Sequence, residues 1–258
     1  MSAHIRFPGN SVLDWYIEAE QMLADFLKYV PYCDAHKEVW SPKLVIILQE
    51  TCSQLDSLWR WEAAHLHGRK GEVDIRDYFK LYGMSLANRT VLFWAEEVME
   101  VGPFVVWKNA ESYSKKECAR HPLDWWKEGY QKIKHNRLEN RECASLKRTV
   151  EALAGLFLAI IHCEKCWQSL WEKHWLSWYE GSGMPFDPLD CLRADFGLLK
   201  DEGECQVTYM AVESSLFSYA VGLSSRHIEP KKNCPNWGGN CSHRFKAWYY
   251  DYCKEHGT

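Results

Sequence analysis

The chain has 258 residues, of which 47% are hydrophobic and 26% are charged, and its formal net charge is −4. This balance excludes a disordered or collagen-like chain and predicts a folded globular protein with a sizeable hydrophobic core. Because the protein is acidic as a whole, contact with a nucleic acid would require a local basic patch.

Targeting and cofactor signals are sparse. No apolar run reaches the ~20 residues that span a bilayer, and the first residues lack the apolar segment of a secretory leader. The eleven cysteines are an odd number, so we expect mostly reduced thiols. No phosphate-binding loop, dinucleotide fingerprint, nucleophile elbow or HExxH sequence occurs. We therefore expect a cytoplasmic protein with no membrane partner and no cofactor.

The first two thirds of the chain predict a run of amphipathic helices, because apolar residues recur at intervals of three and four. Ser11 marks the first start and Ser41 followed by Pro42 the second, since serine caps a helix and proline suits its first position. Helices are expected at residues 11–30, 42–59, 75–83, 86–101, 122–133 and 144–179.

Turn-forming residues between Gly181 and Pro188 mark the expected end of this helical part. We predict a mainly α protein with a helical domain over residues 1–180. A smaller C-terminal extension of mixed structure is expected over residues 181–258.

The extension carries both strand and helix signals. Residues 205–212 predict a strand, residues 245–253 predict a helix, and residues 214–223 fit either. A structural zinc site is an open alternative here, because cysteine and histidine are the ligands that zinc prefers. The residues that would supply its ligands are Cys234, Cys241, His243, Cys253 and His256.

Tryptophans recur at a spacing of four in the last predicted helix of the helical domain. Trp167, Trp171 and Trp175 would form one stripe along that helix. Such a stripe is more often part of a core or a dimer interface than a platform for nucleobases. Together with the long amphipathic patterns, it predicts a homodimer.

The main candidate for a functional site is the basic segment from Lys127 to Arg148. It holds seven Lys and Arg residues against three Glu residues, a local charge of +4 in an acidic protein. If the segment is helical, Lys134, Arg137 and Arg141 share one face, where arginine can grip phosphate oxygens with a planar fork. The pattern predicts a phosphate site, and a solvated cationic rim is the competing interpretation.

His135 and Arg137 are the predicted catalytic residues of this segment. A histidine titrates near neutral pH, so His135 could act as general base on a ribose 2′-hydroxyl. Arg137 would stabilise the charge that develops on the phosphate oxygens. The predicted substrate-binding residues are Lys134, Asn136, Arg141 and Tyr130.

The order of these features resembles uncharacterised bacterial members of the HEPN superfamily over about residues 10–165. The resemblance implies an α-helical bundle, commonly dimeric, whose active members are metal-independent ribonucleases of toxin and anti-phage defence systems. It rests on Tyr32–Pro42, Leu55–Leu58, Pro122–Trp126, Tyr130, Lys134–Arg137 and the Ala/Leu-rich helix that follows.

The catalytic motif of that superfamily places an arginine a few residues before a histidine, whereas here His135 precedes Arg137. Arg60 with His65 or His67 matches the spacing, but an aromatic residue follows Arg60 where a polar one is usual, and chance alone supplies such a match. Two functions therefore stay open. One is a ribonuclease acting as a toxin or defence effector, and the other is a non-catalytic module that binds RNA, a nucleotide or a protein partner.

Overall fold

Helices dominate the protein, and one antiparallel sheet lies among them. The computed structural model describes residues 9–178, 188–196, 210–221 and 241–256. The predicted mainly α class is confirmed, and a π-helical turn at Trp125–Gln131 leads directly into α5. The α-helices are α1 (Gly9–Leu27), α2 (Pro42–His65), α3 (Ile75–Leu86), α4 (Lys115–Arg120), α5 (Lys132–His135), α6 (Leu146–His162), α7 (Trp167–Glu172), α8 (Pro188–Asp195) and α9 (His243–His256).

Capping residues define where the main helices begin. The Ser41 hydroxyl accepts a hydrogen bond from the Leu44 N–H group at 3.1 Å, and Pro42 occupies the first helical position, as predicted. Asp74 caps α3 with a reciprocal capping box, and Ser145 caps α6. Each cap satisfies backbone donors that the first turn leaves without partners.

Helix α6 is the centre of the fold. Thirteen of its 17 residues are buried, and it packs against α1, α2, the π-helical turn and strands of the sheet. Such burial on all sides agrees with its nearly continuous apolar sequence. None of the helices in the described parts of the chain is long and apolar enough to cross a membrane.

The sheet has the strand order β2-β1-β5-β4-β3, and all neighbours are antiparallel. One face, which includes Phe93 and Phe217, packs on the bundle around α6, and the opposite face packs on Phe245 and Tyr249 of α9. Strand β5 pairs with β1, so segments from before and after position 180 share one sheet. The strands are β1 (Val91–Trp94), β2 (Val98–Val101), β3 (Leu176–Trp178), β4 (Met210–Glu213) and β5 (Phe217–Val221).

The helix predicted over residues 86–101 is wrong beyond Leu86, because the hairpin β1–β2 lies there. In β1, Phe93 belongs to the main core while Leu92 packs in the cluster around α9, so both faces of the strand are covered. A strand buried on both faces is a continuous apolar run, which periodicity cannot distinguish from a buried helix.

The helix predicted over residues 144–179 is also too long, because α6 ends at His162 and is followed by α7 and β3. His174 has a φ of 58°, and the Trp175 N–H group donates to the Leu170 carbonyl at 3.0 Å. A left-handed residue with this type of hydrogen bond is a common helix end. Tyr179 lies outside the described residues.

The predicted tryptophan stripe is consequently not formed. Trp167 is buried and donates its ring N–H to the Ile161 carbonyl at 2.7 Å. Trp171 lies at the surface of α7, whereas Trp175 has left the helix and packs its ring edge-on against Tyr16. The three side chains therefore occupy three different environments.

The predictions for the extension are confirmed where the structure describes it. Strand β4 covers the end of the predicted strand 205–212, of which residues 205–209 lie outside the described part. Residues 214–223, which fitted either element, contain β5, and the predicted helix 245–253 lies within α9.

A buried carboxylate joins the N-terminal helix to the hairpin β4–β5. Glu20 of α1 accepts hydrogen bonds from the Ser214 hydroxyl at 2.5 Å and from the backbone N–H groups of Ser215 and Leu216 at 3.1 and 2.9 Å. Tyr16 donates to the same carboxylate at 3.0 Å. Burial raises the pKa of this carboxyl group, and the surrounding donors offset part of that effect.

We predict that Gly155→Val in α6 lowers the free energy of unfolding by about 2 kcal/mol or more, as expected for overpacking of a core. A Cβ atom at Gly155 would already lie 3.2 Å from Trp125 and 3.4 Å from Phe104. Trp125 cannot easily move, because its ring N–H donates to the Pro103 carbonyl at 2.9 Å. Urea denaturation followed by tryptophan fluorescence measures the loss.

Lys80→Val is the matched control, since Lys80 is an exposed helical residue of α3 and reports only the cost of valine in a helix. Equal losses in the two variants would contradict the packing argument.

Candidate functional site

The basic segment lies along one face of α2, and its chain direction is antiparallel to that of the helix. Gln49, Ser53 and Arg60 are spaced by four and seven residues, so they share a face of α2. The Tyr130 hydroxyl lies 3.4 Å from the Ser53 hydroxyl, and the Arg137 guanidinium donates to the Gln49 side-chain carbonyl. The segment is therefore held beside α2 by side-chain contacts.

Helix α5 ends at His135, and a turn carries the chain to the 3-10 helix at Arg141–Cys143. The continuous helix that would align Lys134, Arg137 and Arg141 is thus not formed. As expected, the segment from Lys134 to Arg141 lies at a helix end, and its cations are exposed.

Three of the seven cations in the segment have carboxylate partners. Their pairs are Lys132 with Glu128 at 2.7 Å, Arg148 with Asp124 at 2.7 Å, and Lys147 with Glu151 at 3.8 Å. Within the described residues, the other four form no ion pair with a carboxylate. These four, which we call the α2 stripe, are Lys127, Lys134, Arg137 and Arg141.

Aromatic rings support two members of the α2 stripe. The Lys134 ammonium lies 5.4 Å from the centre of the Tyr130 ring, and the Arg141 guanidinium lies 5.2 Å from that of the Trp40 ring. Such cation–π contacts hold a charge in place while leaving its outer side open to a ligand. Tyr130 itself is buried, so the structure gives this predicted substrate-binding residue a supporting position.

His135 is exposed at the end of α5 and forms no hydrogen bond or ion pair within the described residues. Asn136 is engaged in the turn that follows, where its side-chain oxygen accepts from the Glu139 N–H group at 3.4 Å. The structure therefore places the predicted base beside the stripe but gives it no group that orients its ring.

A pocket of about 460 Å³ lies at the Lys127 and Lys134 end of the α2 stripe. Its walls come from α2, α3, α4 and the π-helical turn, so no local pattern in the sequence indicates it. We call it the α2–α4 pocket. It is lined by Asp56, Arg60, Val73, Asp74, Ile75, Arg76, Trp107, Cys118, Ala119, Pro122, Leu123, Trp126, Lys127, Gln131 and Lys134.

The arginine and histidines that match the HEPN motif spacing do not converge. Arg60 pairs with Asp56 at 2.8 Å, whereas the His65 ring stacks on Trp61. Residues five apart point about 140° away from each other around a helix. His67 lies beyond the end of α2, where it contacts the Tyr82 ring. The arrangement offers no paired acid and base at this place.

Cysteine side chains carry no metal site in the described residues. Cys163 and Cys166 are fully buried in the core. Cys241 is buried and lies 3.5 Å from a Glu213 carboxylate oxygen. Cys234 and the side chains of Cys253 and His256 are not described, and among the residues that are, no cluster of three metal-binding side chains occurs.

A second group of titratable side chains is buried in the core, away from the stripe. Glu62 lies against Cys163 and Tyr82, and burial raises the pKa of its carboxyl group to about 7. Burial lowers the pKa of His162 to about 4, and its ring packs between Tyr82 and Phe196. Both groups are therefore predominantly neutral in the folded protein at pH 6.

No protein-family model matches this sequence, and neither a curated protein nor a solved structure is significantly similar to it.

We predict that the stability advantage of Glu62→Gln over the wild type grows as pH rises. The folded chain holds the Glu62 proton up to about pH 7, whereas the unfolded chain loses it near 4.5. Between these values the folded state binds more protons, so the contribution of Glu62 to the free energy of unfolding falls with rising pH. Glutamine cannot ionise, so the variant does not lose stability in this way. Between pH 4.5 and about 7, the free energy of unfolding of Glu62→Gln should therefore rise relative to that of the wild type by up to about 3 kcal/mol.

Urea denaturation at several pH values measures this difference. His162 has the opposite effect, because a lowered pKa in the folded state makes stability rise with pH. That effect is present in both proteins and cancels in the comparison. Glu72→Gln, at an exposed position, is the control, and a pH-independent difference between Glu62→Gln and wild type would contradict the prediction.

Proposed function

We propose that this chain is a HEPN-like helical module that binds single-stranded RNA along the α2 stripe. The observation that carries the proposal is that four cations without carboxylate partners among the described residues follow one another along α2. From the Trp40 end of α2 to Asp56 this line extends for about 20 Å, since a helix rises by about 1.5 Å per residue. A single file of cations suits a single phosphate backbone.

The chemistry of the stripe supports phosphate recognition. Arg137 and Arg141 can each offer two parallel N–H donors to phosphate oxygens, and the lysines add point charges. The net charge of the whole protein is −4, so attraction to phosphate has to come from local groups of cations such as this one. Such a surface binds RNA mainly through displaced counterions, which makes affinity fall as salt rises.

Binding without cleavage is the better supported of the two functions left open by the sequence. General acid–base catalysis needs a base held within reach of its proton, commonly by a third group. His135 has no such group among the described residues. The homodimer, in which two chains would complete a cleft, stays a prediction. Light scattering at micromolar concentration tests it.

We expect the affinity for a fluorescent oligouridine to fall with salt along a slope of about −3 in a double logarithmic plot, which is ~0.7 for each of four phosphate contacts. Arg137→Ala and Arg141→Ala should each weaken binding and reduce the slope by about 0.7, because each removes one contact. Fluorescence anisotropy at several salt concentrations measures both quantities.

Lys132→Ala is the matched control, because Lys132 lies in the same segment but is paired with Glu128. It should change affinity less than either arginine variant, and His135→Ala should leave affinity unchanged. Affinity that ignores salt, or that survives loss of both arginines, would contradict the proposal. Cleavage in EDTA that yields 2′,3′-cyclic phosphate ends and is lost in His135→Ala would replace it with the ribonuclease.

A further inference from the structure

The floor of the α2–α4 pocket is apolar. Trp107, Leu123 and Trp126 are buried side chains that contribute to its wall, and Val73 and Ile75 cover one side. Its volume of about 460 Å³ falls within the range of about 300 to 1,000 Å³ that is usual for small-molecule sites. The pocket can therefore remove an apolar group of moderate size from water.

Both carboxylates in the lining are already occupied. Asp56 accepts from the Tyr78 hydroxyl through one oxygen and from Arg60 through the other, each at 2.8 Å. Asp74 accepts from the Arg76 backbone N–H group at 2.8 Å and from the Arg76 guanidinium. Neither carboxylate is left over to attract a cationic ligand.

Positive charge is in excess at this pocket. Its lining contains four cations and two carboxylates, and the excess resides on Lys127 and Lys134. Both ammonium groups are exposed and have no carboxylate partner within the described residues. An anion beside the neighbouring apolar surface would be partly shielded from water, which strengthens its attraction to the two lysines.

Few polar groups remain to recognise anything else. Among the lining side chains, Gln131 is the uncharged amide, and no hydrogen bond within the described residues engages it. A nucleobase would bring several donors and acceptors, and those left unmatched against the apolar part of the wall would oppose binding. The lining fits an apolar body better than a base.

We propose that the α2–α4 pocket binds a small amphipathic monoanion, with its apolar body against Val73 and Ile75 and its carboxylate between Lys127 and Lys134. A medium-chain carboxylate has this chemistry. The pocket shares Lys127 and Lys134 with the α2 stripe, whereas Ala119 and the apolar lining lie outside the stripe, so the two proposals can be tested with different variants.

The test is calorimetric titration of the full chain with decanoate, compared with two ligands of the same chain length. Decanol has the apolar body without the charge, and decyltrimethylammonium has the opposite charge. We expect saturable binding of one decanoate per chain, with decanol and the cation at least about tenfold weaker, since a charge-assisted contact contributes about that factor. Inorganic phosphate alone should not bind measurably.

Two variants locate the binding. Ala119 is exposed and lines the mouth of the pocket, so Ala119→Trp should fill the mouth and abolish decanoate binding without disturbing the core. Lys127→Ala should weaken decanoate about tenfold while leaving decanol unchanged. The controls are Ala247→Trp and Lys80→Ala, which alter exposed helical residues outside this pocket and should bind decanoate like the wild type.

Several results would overturn the inference. They are the absence of decanoate binding to a wild type that is folded by circular dichroism, equal affinities for decanoate and decanol, and undiminished binding by Ala119→Trp. RNA titrations of the same variants distinguish a failure of the pocket proposal from a failure of RNA binding along the α2 stripe. Arg137→Ala with Arg141→Ala should affect RNA and spare decanoate, whereas Ala119→Trp should abolish decanoate binding.

Discussion

The need to surround α6 on every side organises this protein. With 13 of 17 residues buried, most of the surface of the helix is covered, and α1, α2, the π-helical turn and the sheet pack around it. Gly155 shows how closely they do so, because the Trp125 ring would lie 3.2 Å from a Cβ atom at that position. Burial of this helix is also a large favourable contribution to folding.

The same packing positions the candidate site. Trp125 enters the core and donates to the Pro103 carbonyl, so the π-helical turn is fixed in rotation. Trp126 then contributes to the α2–α4 pocket, and Lys127 lies at its mouth. The positions of the stripe and the pocket therefore depend on core packing.

Charge is distributed so that only part of the basic segment is available. Glu128, Asp124 and Glu151 neutralise three of its seven cations, and the remaining four are spread along α2. Surface ion pairs contribute little to stability, and in the proposed function these pairs decide which cations are left for RNA. An acidic protein can in this way bind an anion at one surface.

The sequence by itself determined the mainly α class, the helix starts at capping residues such as Ser41, and the basic segment, because these depend on local spacing and charge. Only the tertiary structure decided that residues 91–101 form a hairpin, since a strand covered on both faces has no alternating pattern. It also decided the α2–α4 pocket, whose lining residues lie as far apart in the chain as Asp56 and Lys134. Local patterns carry no information on which distant segments meet, because that depends on how the whole chain buries α6.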